Sequence, residues 1–117
     1  MMAVHTFNYT YTYVGVKTMP RSLEDDTQIV REVCVEVKAV DKADATKTLT
    51  ENMYSPLEGV YSYKHEGLPE NFIDVADLTH AKVIEWYQNT VETTDLDIYF
   101  TWQLYGAEEV APINDLG

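Results

Sequence analysis

The sequence predicts an α+β fold, an antiparallel meander of three to four strands followed by two helices, and three observations carry that prediction. Residues 5–17 and residues 28–40 each alternate apolar and polar side chains with a period of two, the pattern of a half-buried strand. Residues 79–91 place apolar side chains at helical spacing directly after a residue suited to start a helix.

In the first segment, HTFNYTYTYVGVK, one face carries Phe7, Tyr9, Tyr11 and Tyr13 and the other carries Thr6, Asn8, Thr10 and Thr12. Four rings in file are large and amphipathic, so they either cap a core or present a contact surface. Met19-Pro20 ends the pairing, because proline has no N–H to give a ladder, and Ser22 to Asp26 reads as an exposed loop. The second segment, QIVREVCVEVKAV, sets Ile29, Val33, Val35, Val37 and Ala39 on one face and Glu32, Glu36 and Lys38 on the other. This predicts a half-buried strand antiparallel to the first.

The next stretch supports two readings. Asp41 to Ala45 can turn the chain into a third strand, with Thr46, Thr48 and Thr50 alternating with Lys47, Leu49 and Glu51. Alternatively Asp41 caps a short helix containing Leu49, with Asp44 at its third position. The threonine alternation favours the strand. Pro56 and Gly59 then interrupt the chain, Val60 to Lys64 forms a short extra strand, and Gly67 with Pro69 makes a loop.

Thr79 is the expected cap of the first helix. Leu78 before it and Val83 after it have the spacing of a hydrophobic staple, and Val83, Ile84, Tyr87 and Val91 form an inward stripe with Trp86 at its edge. Residues 94–105, TDLDIYFTWQLY, read as a strand through Ile98, Phe100, Trp102 and Leu104, or as a helix through Leu96, Tyr99, Phe100 and Leu104. Capping favours the helix: Thr94 as its cap places Asp95 and Asp97 at the positive end of the dipole, and Gly106 suits the position just past the end. Residues 1–106 are thus expected to form one domain, with 107–117 as a flexible or partner-docked tail.

A chain of 117 residues is long enough for one core without metal or disulfide. Its net charge of −12 is unevenly placed: residues 65–117 hold eleven acids against Lys82 alone, while residues 1–23 carry only Lys17 and Arg21. Phosphate backbones and anionic membranes attract clustered bases, so direct nucleic-acid and membrane binding are disfavoured. Acidity mostly serves solubility, but an acidic face can also occupy the basic cleft of another protein by imitating DNA. Glu66, Glu70, Asp74, Asp77, Asp95 and Asp97 are the candidates for such a surface. Phe7, Tyr9, Tyr11, Tyr13, Trp86 and Trp102 are the candidate contact residues. Cys34 is the sole cysteine and falls in a valine-rich strand, which excludes an intramolecular disulfide; with no stretch of 18 apolar residues and no signal-like start, reducing intracellular conditions fit.

No catalytic, metal or cofactor site is expected. His5, His65 and His80 lie far apart without ligand-like spacing, no serine sits in a nucleophile elbow, and the glycines never cluster into a phosphate cradle. Acid pairs such as Asp74 with Asp77 and Asp95 with Asp97 have a simpler use as helix caps than as acid–base partners.

The segments FNYTYTYVGVKT, IVREVCVEVKAV and above all FIDVADLTHAKVIEWYQNTV, in this order, resemble a family of small uncharacterised proteins encoded by tailed phages of marine cyanobacteria and related hosts. Residues 41–71 are longer and poorer in glycine than that family's pattern. The resemblance carries over no catalytic residue. It implies a phage protein in the host cytoplasm and then in the virion, acting as a structural or assembly component on other phage structural proteins or on itself. The alternative is an early inhibitor of a basic host protein.

Overall fold

The computed structural model describes residues 3–57 and 73–106. Three strands, β1 (Phe7–Pro20), β2 (Gln28–Asp41) and β3 (Thr48–Pro56), form an antiparallel sheet in the order β1-β2-β3. A 3-10 turn at Val75–Asp77 leads into α1 (His80–Thr90) and then α2 (Thr93–Tyr105). The fold is the expected α+β arrangement, and residues 48–56 take the strand reading. The proposed strand at 60–64, the acids Glu66 and Glu70, and the tail 107–117 lie outside the described residues.

Turn chemistry explains both hairpin connections. The Asp25 carboxylate accepts from the backbone N–H and hydroxyl of Thr27 at 3.0 and 2.6 Å, while Ser22 Oγ accepts from the N–H groups of Glu24 and Asp25. In the second turn Asp41 accepts from Ala43 N–H, and Asp44 accepts from the N–H and hydroxyl of Thr46. These are aspartates folding the backbone two residues on, so Asp41 and Asp44 shape a turn and start no helix.

The core lies between one sheet face and the two helices. Val30, Val33, Val35, Val37 and Ala39 of the central strand pack with Phe7, Val83, Tyr87, Leu96 and Phe100. A strict period of two gives that face Ile29 and leaves Val30 outward. Pairing passes over Arg31 between Lys17–Glu32 and Thr18–Val30, and this irregularity shifts the alternation so that Val30 joins the core cluster. Ile29 is buried as well.

Thr79 caps α1 as expected, its hydroxyl accepting from Lys82 N–H at 3.1 Å, and Leu78 and Val83 both pack on the core. The cap of α2 differs from the Thr94 expectation. Glu92 holds that place with no side-chain bond to the helix backbone, and its carbonyl accepts from the N–H groups of Asp95 and Leu96. Burying Leu96 and Phe100 on consecutive turns fixes where this helix starts more strongly than the choice among neighbouring polar caps does. Gly106 ends the helix with φ −64°, an ordinary right-handed conformation, so freedom of φ is not its use. A Cβ there would lie 2.7 Å from the Trp102 ring, and the missing side chain lets that ring lie close.

Candidate functional site

The aromatic file of β1 points under the helices. Phe7 is buried against Phe100 with ring centroids 6.2 Å apart, Tyr9 meets the same ring at 5.9 Å, and Tyr11 meets Tyr87 of α1 at 5.9 Å. Tyr13 stacks on His80 at 4.0 Å with the planes 7° apart. The expectation left these rings free to cap a core or to meet a partner; within the described chain they cap the core. Trp86 is half-buried against the same core, whereas Trp102 is 64% exposed.

Polar side chains then tie α2 to every strand by the same chemistry. Tyr9 on β1 donates to Asp97 at 2.6 Å, Tyr99 of α2 donates to Glu51 on β3, and Tyr105 of α2 donates to Asp41 at the end of β2. A phenol that donates to a carboxylate makes a bond stronger than one between neutral groups. One such bond per strand pins a single helix across the whole width of the sheet.

The densest of these junctions surrounds Asp41, which is 2% exposed. Besides Tyr105, its carboxylate meets His5 Nδ1 at 2.7 Å and Ala43 N–H at 2.8 Å. The His5 ring stacks on Tyr105 at 4.2 Å, and the His5 backbone N–H donates to the buried Thr101 hydroxyl at 2.9 Å. The Tyr105 hydroxyl, the Ala43 N–H and His5 hold the Asp41 carboxyl below the usual carboxylate range, against the opposing effect of burial. Through these bonds Asp41 and His5 fasten the N-terminal arm to the end of α2. The Thr101 hydroxyl is engaged by the backbone N–H of His5.

Burial and the Asp97 carboxylate push the Tyr9 phenol well above the ordinary tyrosine range. Tyr11 is raised by burial and then by Asp97, and Tyr99 by its bond to Glu51 and then by burial. Burial, helped by Tyr11 and Cys34, pushes Tyr87 up to about 12. Tyr9, Tyr11, Tyr87 and Tyr99 are therefore all biased toward the protonated phenol, the form in which Tyr9 and Tyr99 donate.

Of the candidate acids, Asp97 is tied to Tyr9, and Asp74 accepts from Ala76 N–H at 3.1 Å to cap the 3-10 turn. Asp77 and Asp95 are exposed. Sequence reasoning missed Asp41, His5, Tyr99 and Tyr105 as a group; Asp41 alone carried a signal, as a turn former. Among the described residues no three His, Cys, Asp or Glu side chains are grouped to hold a metal ion, and no helix is long and apolar enough to cross a membrane.

The fold and its junctions thus define a small α+β domain in which two helices are clamped on one face of a three-stranded meander. The chain belongs to the family described as a domain of unknown function, DUF7936, whose model matches residues 6–111. No curated protein and no solved structure matches the chain.

Proposed function

We propose that the protein is a non-enzymatic structural or assembly component of a phage particle, a virion accessory such as a capsid decoration or head–tail protein, acting through protein–protein contacts. One observation carries the contact reading. While Leu96 and Phe100 of α2 are buried against the sheet, Ile98 and Trp102 stand one turn apart on the same helix, 48% and 64% exposed. A helix with apolar residues on both sides is suited to being covered on both sides, and tryptophan is the side chain most often found to anchor an interface. The phage setting rests on the resemblance of the strand and helix segments.

Mass spectrometry of purified particles, together with size-exclusion chromatography of the isolated protein, tests the reading. The chain is expected in particles in many copies, and Trp102→Ala is expected to reduce its incorporation while leaving the fold intact. A monomer absent from particles would overturn the proposal. An inhibitor of a basic host protein is the second reading, favoured by the exposure of Asp77, Glu85, Glu92 and Asp95 on the helical half. Charge reversal at Glu66, Glu70, Asp74 and Asp77 should then weaken binding to such a partner; unchanged binding would remove this reading.

A further inference from the structure

Among the described residues, the outer edge of β1 is the longest stretch of regular backbone whose hydrogen-bonding groups have partners on one side only. β1 runs for 14 residues at the margin of the sheet. Among the described residues, the backbone of Phe7–Pro20 bonds to β2 and to nothing else. Proteins normally guard such an edge with charge, proline or a bulge. Here Phe7 to Val16 contains no charged residue; Lys17 and Pro20 come only at the far end, and the irregularity at Val14 comes after seven residues in unbroken register, Phe7–Tyr13.

We infer that a second copy of this chain pairs with that edge, β1 against β1 in antiparallel fashion about a two-fold axis, making one continuous six-stranded sheet. Two features select a second copy as the occupant. Copies carrying −12 each repel, and residues 1–23 contribute no acid of their own to a shared edge, with Lys17 and Arg21 as their only charges, while Asp97 and Glu32 beside β1 are each engaged by a β1 side chain, Tyr9 and Lys17. The N-terminal half of β1 also contains a palindrome centred on Tyr11: Tyr9-Thr10-Tyr11-Thr12-Tyr13 reads the same in both directions. Residues directly opposite in an antiparallel pair project from the same face. A two-fold axis passing at Thr10 or Tyr11 therefore sets rings beside rings on the helix side and threonines beside small polar residues on the open side, with strands about 4.8 Å apart. The pairing is independent of the phage setting and of the outward face of α2.

Thr10 and Thr12 are exposed on the open face, opposite Lys38 and Glu36 of β2, so charges can be placed there without entering the core. Sedimentation of the wild-type chain is expected to show a dimer. Thr10→Lys/Thr12→Lys and Thr10→Glu/Thr12→Glu are each expected to sediment as folded monomers, because like charges meet across the axis. The lysine variant brings net charge closer to zero, so general repulsion cannot account for its dissociation. An equimolar mixture of the two variants is expected to recover the dimer. A wild-type monomer at every concentration would overturn the inference, as would dimers of both variants or a mixture that stays monomeric. Particle incorporation is read separately, so a phage component with no β1 dimer and a β1 dimer absent from particles are distinguishable.

Discussion

Asp41 concentrates more of the fold in one carboxylate than any other described side chain. It is nearly inaccessible to water and joins the N-terminal arm, the second turn and the last turn of α2. Its folded pKa lies below the unfolded value of 3.8, so the folded state binds its proton less readily. The stability it contributes is complete above that value and is lost as pH falls through the lower, folded one. Asp25 and Asp44 are shifted in the same direction by the hydroxyls of Thr27 and Thr46. Acid titration followed by circular dichroism is therefore expected to show unfolding setting in below about pH 4. Asp41→Asn is expected to lower stability at neutral pH by about 1–3 kcal/mol, the range for losing hydrogen bonds to a buried charge, and to flatten the acid limb. The tyrosines set the opposite limit. Tyr87 is raised to about 12 and Tyr9 is raised as well, so their neutral forms favour the folded state. That contribution is present below the unfolded pKa near 10 and disappears as pH rises through the folded values. Alkaline titration should show tyrosinate absorbance from these two residues appearing together with loss of secondary structure; ionisation of every tyrosine in a folded protein would contradict the burial argument.

The strands and α1 were legible in the sequence, and the reasons are local. Alternation in β1 and β2 reflects a sheet with one face covered, and the Leu78-Thr79-Val83 spacing reflects the entry into α1. Thr79→Ala is expected to cost about 1 kcal/mol in urea denaturation, the usual worth of a threonine cap. Tyr11→Ala, which removes the ring under Tyr87, is expected to cost about 3 kcal/mol by the same measurement. Where sequence reasoning went astray, the deciding interaction was not local. Skipping Arg31 shifts the faces of β2 and brings Val30 to the core, and nothing in QIVREVCV marks that position. The start of α2 follows from Leu96 and Phe100 reaching the core, which polar residues nearby do not reveal. His5 and Tyr105 are 36 and 64 positions from Asp41, and no spacing rule links groups so far apart.

At the scale of the whole molecule, the described residues Tyr9, Tyr99 and Tyr105 with Asp97, Glu51 and Asp41 fasten one layer to the other. The acids of the C-terminal half divide accordingly: Asp97 holds β1, Asp74 starts a turn, and Asp77 and Asp95 face water. Among the described residues, the surfaces without a covering element are the outer edge of β1 and the outward side of α2 at Ile98 and Trp102. What joins the two layers is a phenol–carboxylate bond from α2 to each strand. The most direct test is urea denaturation of Tyr9→Phe/Tyr99→Phe/Tyr105→Phe, which keeps the three rings and deletes the three donors. The expected result is a loss of about 3 kcal/mol or more, from three bonds of roughly 1–2 kcal/mol each, with unchanged self-association. Unaltered stability combined with loss of association would contradict the account and assign these hydroxyls to an interface.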